Sequence, residues 1–144
     1  MDNKVVHFNT IVLIVLKELR RERFFHQATL AERCGKSLNA WNKIESGESP
    51  LSMALFHRIC HCFDLQPSEI LSAVDNIVTL FEEDGYAVIY NEDNIDGDTI
   101  INKIDGYYKE HPHKINGKYS ILSAYDSMGN LIIPEVIAWC LGRM

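Results

Sequence analysis

The sequence predicts an α+β protein in which an all-α bundle of five short helices is followed by a smaller α+β tail. Three observations carry that expectation. Apolar residues recur at helical spacing from residue 11 to residue 83, glycine and hydroxyl residues cut that stretch into short pieces, and beyond Asp84 the periodicity changes to that of a strand. The 144 residues are 47% hydrophobic and 10% aromatic, enough for a real core, which excludes global disorder and collagen-like or low-complexity structure.

The first helix is read from the apolar stripe Ile11, Leu13, Ile14, Leu16 and Leu19, with Lys17, Arg20, Arg21 and Arg23 outside it and an end near residues 22–25. Residues 27–34 form a second, short helix with Leu30, Ala31 and Cys34 inward, stopped by Gly35. Ser37 is placed to cap a third helix over 38–45, whose Ala40, Trp41 and Ile44 meet the first two before Ser46-Gly47 ends it. A fourth helix over 52–63 carries Met53, Phe56, Ile59, Cys60 and Phe63. The fifth spans 67–83, continuous or divided near Ser72, with Leu71, Val74, Ile77, Val78 and Phe81 on one face.

In the tail, residues 86–90 read as a strand and 91–97 as a polar turn. Asp98 can cap a helix carrying Ile100, Ile101, Ile104, Tyr107 and Tyr108, although Gly106 weakens that pattern. Segments 118–125 and 131–133 flank a turn at Asp126-Ser-Met-Gly-Asn130 and predict a hairpin, and Pro134 starts a final helix with Val136, Ile137, Trp139 and Cys140. This gives a domain over 1–71 and a second over 72–144.

Charge divides along the same line. The net charge is −6, but nine basic and eight acidic residues precede the cut after Leu71, while five basic and twelve acidic residues follow it. The first part is therefore near neutral and holds four of the six histidines, whereas the acidic excess belongs to the tail. The four cysteines show no disulfide-framework spacing and the sequence opens with no secretory signal, so a reduced, cytoplasmic protein is expected. The strongest apolar run, residues 11–16, is far short of the roughly 20 residues a membrane span needs.

The ordered motifs Gln27-Ala-Thr-Leu-Ala-Glu-Arg-Cys-Gly35, Ser37-Leu-Asn-Ala-Trp-Asn-Lys-Ile-Glu-Ser-Gly47 and Leu65-Gln-Pro-Ser-Glu-Ile-Leu71 follow one another in the first domain. Through them residues 11–71 resemble the Cro/C1-type, or XRE, helix-turn-helix family. The resemblance implies a five-helix domain whose second and third helices read DNA, in a protein that usually acts as a dimer on a palindromic operator. His26 stands where the family usually has a hydroxyl cap, and Lys36 at a usually apolar turn position.

A short helix over 38–45 fits a major groove, with Gln27 and the backbone amides around Ser37 meeting phosphate. Asn39, Asn42 and Lys43 lie on or beside the outward face and suit base edges or backbone, and Leu38 suits a thymine methyl. Trp41 is expected in the core, where the family buries Val or Ile. Glu45 either ties helices together near the Gly47 turn or stays exposed, and Arg20, Arg21 and Arg23 either approach flanking phosphates or form an ordinary charged helix end.

Other chemistry finds little support. Cys60 and His61 can serve a soft metal only if further ligands approach, no CxxC pair or HExxH motif accompanies them, and His57 and His61 stand one turn apart at exposed-helix spacing. Registering Glu92, Asn94, Asp96 and Gly97 as a calcium loop puts Lys103 where a bidentate carboxylate is required. No nucleophile–base triad or phosphate loop is recognisable, so neither enzymatic activity nor a cofactor is expected. The sequence thus predicts a transcription regulator, a homodimeric repressor on double-stranded DNA, whose tail dimerises or meets an effector or protein partner. The alternative is a partner-dependent interaction module, including an antitoxin-like one.

Overall fold

The computed structural model describes residues 4–90, 98–112 and 119–143. Among these the chain forms β1 (Val5–His7), α1 (Phe8–Glu22), α2 (Gln27–Arg33), α3 (Leu38–Glu45), α4 (Met53–Cys62), α5 (Pro67–Glu83), β2 (Ala87–Ile89), α6 (Thr99–Glu110) and α7 (Glu135–Cys140). The protein is mixed α+β and mostly helical. The turn expected over 91–97, with most of the calcium-loop candidates, and residue 118 at the start of the hairpin lie outside the described residues.

Local signals explain most helix ends. Ser37 and Ser52 each cap the helix that follows, their hydroxyls accepting from Ala40 N and Leu55 N, both at 3.1 Å. At α5, Pro67 occupies the first turn and Glu69 reaches back to Gln66 N at 2.7 Å, completing a capping box. This helix then runs unbroken past Leu71 and Ser72. Asp98 caps α6 as expected, accepting from Ile100 N at 2.8 Å, and Gly106 is accommodated within that helix.

The strand expected at 86–90 is observed as β2, but its partner was not foreseen. It pairs in parallel with β1, Val6 opposite Val88, so the start of the chain lies beside a segment some eighty residues later. The expected hairpin is reduced to one antiparallel bridge, Tyr125 to Leu131, around the Asp126 turn. Its first arm is drawn instead onto α1, where Ser120 Oγ and Ile121 N both donate to the Glu22 carboxylate and Ile121 is buried. An extended ladder would forgo these bonds.

The centre of the molecule is α1. Every residue from Ile11 to Leu19 is buried, including Lys17 and Glu18. Its apolar stripe packs against α5 and the helices of the first half, while α6 and the segment around Ile121 cover the opposite side. This corrects the placement of Lys17 outside the packed face: it is 8% exposed, with its ammonium 3.7 Å from Asp105 Oδ1 and 5.9 Å from the centre of the Tyr108 ring. Burial lowers its pKa, and Asp105 and Glu45 oppose that shift. One apolar cluster joins residues of α1 to α5 with Ile100, Ile104, Tyr107, Val136 and Ile137 of the tail.

Glu18, 2% exposed, accepts a 2.5 Å hydrogen bond from the Tyr108 hydroxyl. Burial raises its pKa above the ordinary 4.5, against the lowering effect of Tyr108 and Arg21. The folded protein thus holds this proton more tightly than the unfolded chain, so the contribution of Glu18 to stability falls as pH rises from about 4.5 through the folded value. Glu18→Gln keeps an acceptor for Tyr108 and removes the buried charge. It should stabilise by roughly 1 kcal/mol above that window and by less below it. Thermal melts of both proteins between about pH 4 and 8 check this, and a gap independent of pH would refute it.

Candidate nucleic-acid interface

Three buried side chains fix α3 to the body of the protein. Trp41 is 3% exposed and Ile44 is buried beside it, which places Trp41 in the core as expected. The Trp41 indole nitrogen has no hydrogen-bond partner among the described residues. The third is Glu45, whose Oε1 accepts from Arg20 Nε of α1 at 2.8 Å and whose Oε2 accepts from Gln27 Nε2 of α2. One carboxylate therefore gathers α1, α2 and α3.

The turn between α2 and α3 is closed by backbone bonds. Gly35 N donates to Glu32 O at 3.0 Å and Lys36 N to Ala31 O at 2.9 Å, a helix end that needs a left-handed residue at position 35. Gly35 supplies it with φ +69°, and a Cβ there would also meet the Arg58 guanidinium at 3.2 Å. Gly47, at φ +84°, plays the same part after α3. Ser37 spends its hydroxyl on the α3 cap.

With these anchors α3 turns Leu38, Asn39, Asn42 and Lys43 outward, and Leu38 is 46% exposed. The side chains of Asn39, Asn42 and Lys43 make no hydrogen bond or ion pair among the described residues. Their donors and acceptors lie on one helix face beside the exposed Ser37 and Lys36. Gln27 is different: it is half-buried at the start of α2, and its bond to Glu45 gives it a positioning role toward α3. His26 contributes no side-chain cap to α2, and Lys36 is exposed to solvent.

The arginines at the end of α1, with its C-cap Arg23, donate hydrogen bonds within the protein. Arg20 holds Glu45 and Phe25 O, Arg21 donates to the carbonyls of His111 and Pro112 and lies 4.5 Å from the Tyr108 ring centre, and Arg23 donates to Phe63 O. The run is thus more than an ordinary charged helix end, because each of its guanidinium groups has a hydrogen-bond acceptor within the protein. The basic side chains left near the α2–α3 turn are Lys36, Lys43 and Arg33, the last with its guanidinium 5.1 Å from the centre of the Phe25 ring. Sequence reasoning missed Arg20 as the partner of Glu45. Its signal would have been an arginine one turn from the end of a helix whose stripe is otherwise apolar.

His57 and His61 are exposed on α4 while Cys60 faces the core, its thiol pKa raised by burial. Among the described residues no group of three or more His, Cys, Asp or Glu side chains is arranged to hold a metal ion. Nor is any helix among them long and apolar enough to cross a membrane.

Residues 14–72 match a family model described as a helix-turn-helix domain. Comparison with curated proteins and with solved structures gives no match. The match runs from the second turn of α1 into the second turn of α5 and includes α2, the glycine turn, α3 and α4. Residues 14–72, somewhat less than half of the chain, are therefore similar to a helix-turn-helix domain.

Proposed function

We propose that the protein is a sequence-specific transcriptional regulator that acts in the cytoplasm as a homodimeric repressor of a palindromic operator, without enzymatic activity or cofactor. The observation that carries this is the outward face of α3, where Asn39, Asn42 and Lys43 present unspent hydrogen-bonding groups on a helix held rigidly by Trp41, Ile44 and Glu45. Rigid presentation lets such groups contribute to base discrimination without an ordering cost. A single short helix reads few base pairs, so two copies related by a dyad match a palindrome. The tail supports the dimer with exposed apolar side chains around its turn, Tyr125, Leu131 and Met128, the last 84% exposed.

The test is selection from a random duplex library at controlled salt, comparing the intact chain with Asn39→Ala/Asn42→Ala/Lys43→Ala. These side chains make no contact that folding needs, so the variant should melt with the parent. It should bind the selected palindrome roughly 30-fold more weakly, about 2 kcal/mol, as expected for a few lost base or phosphate contacts. No enrichment from folded protein would shift the assignment to the second reading, a partner-dependent or antitoxin-like module. That reading is favoured by Leu38, an apolar side chain exposed at the head of α3, together with the apolar turn of the tail.

A further inference from the structure

Two thiols meet where the ends of α2 and α4 come together. Cys34 is the C-terminal cap of α2 and is fully buried, Cys62 ends α4 and is partly exposed, and their Sγ atoms are 4.0 Å apart. The helix ends are held close by groups other than the thiols, since Arg58 of α4 donates to Cys34 O at 2.8 Å. Cys60 is buried on the core side of α4, and Cys140 is buried in α7.

We propose that Cys34 and Cys62 are a redox modification site that forms a reversible intramolecular disulfide, clamping the start of the α2–α3 turn to α4. The loop so closed contains the turn and all of α3, so oxidation stiffens the helix pair that carries the outward face described above. Closing the sulfurs from 4.0 Å to about 2.05 Å needs only a small movement of two helix ends.

The oxidant is a small-molecule disulfide of the glutathione class. The Cys62 thiolate, the more accessible, attacks one sulfur of that disulfide, forming a mixed disulfide and expelling a thiolate that takes a proton from water. The Cys34 thiolate then attacks Cys62 Sγ and expels the second small thiolate, which is protonated in turn. Two protein thiols are oxidised to one disulfide, and the small disulfide is reduced to two thiols. A dithiol reductant attacks the protein disulfide, forms a transient mixed disulfide and closes to its own cyclic disulfide, which returns both protein thiols. Burial raises the Cys34 thiol above its ordinary range, so the second step should speed up as pH rises.

The full chain is incubated with oxidised glutathione, quenched with acid and measured by intact mass, non-reducing peptide mapping and thermal melting. The expected product has lost about 2 Da, links the Cys34 and Cys62 peptides, and melts about 5–10 °C higher, all reversed by dithiothreitol. Cys62→Ser, at a partly exposed position, should abolish the cross-link, and Cys140→Ser should keep it. Should Cys34→Ser fail to fold, the wild-type peptide map and the Cys62 variant still decide the matter. A lasting mixed disulfide on Cys62, a link through Cys60 or Cys140, a cross-link between chains, or thiols that remain reduced would each overturn the proposal. None of these readouts involves DNA, so failure here is distinct from failure of the regulator assignment.

Discussion

Glu45→Ala should cost about 3 kcal/mol of folding stability, because it strands the Arg20 guanidinium and the Gln27 amide in a largely buried place. Breaking a buried ion pair by removing one partner is among the more damaging single changes, since the surviving charge stays desolvated. The consequence extends past stability. Glu45 hydrogen-bonds to both α1 and α2 from α3, so its loss frees the outward face to shift against the rest of the domain. Urea denaturation at constant slope should show the lower midpoint, and protection of α3 amides against hydrogen exchange should fall more than that of α5. A loss below about 1 kcal/mol would mean that Trp41 and Ile44 alone seat the helix.

Asp98→Ala should be at least as costly, at about 3–4 kcal/mol. The Asp98 carboxylate accepts from His7 N at 3.2 Å, from His7 Nδ1 at 2.6 Å, from the Thr10 hydroxyl at 3.0 Å and from Ile100 N at 2.8 Å. Thr10 is fully buried, so its hydroxyl would find no water in exchange. One side chain thus caps α6 and fastens the β1–α1 junction to the tail. Asp98→Asn, which keeps one acceptor oxygen, should recover part of the loss. The comparison of the two denaturation midpoints separates a lost network from a lost helix cap, which is worth only about 1 kcal/mol. Equal effects of the two substitutions would show that the charge, and not the number of acceptors, holds the junction.

Legibility from sequence followed the range of the interactions. The bounds of α3 were readable to the residue because Ser37, Ser46 and Gly47 punctuate them within ten positions. The outward placement of Asn39, Asn42 and Lys43 followed from the same spacing, as did the inward placement of Trp41 and Ile44. Glu45 stood open between two roles until its partners were known, because Arg20 is twenty-five residues away. The strand β1 carried no signal of its own: three residues are too few for a period, and its partner lies beyond α5. The hairpin is confined to the residues beside its turn, because turn chemistry marks where a chain reverses but not how far its arms pair. Here Glu22 competes for the backbone of the first arm.

Sequence alone determined the helices of the first half, their caps and glycine stops, the burial of Trp41 and the exposed face of α3, because each depends on neighbours within about one or two turns. Only the tertiary structure decided the fate of α1. Its charged residues read as a solvated face, yet the tail covers that face, so Lys17 meets Asp105, Glu18 meets Tyr108, and Glu22 meets Ser120 and Ile121. A helix pattern reveals which side is apolar, but a polar side can still be buried when a distant segment brings matching hydrogen-bond partners, and those partners here lie about ninety residues further along the chain.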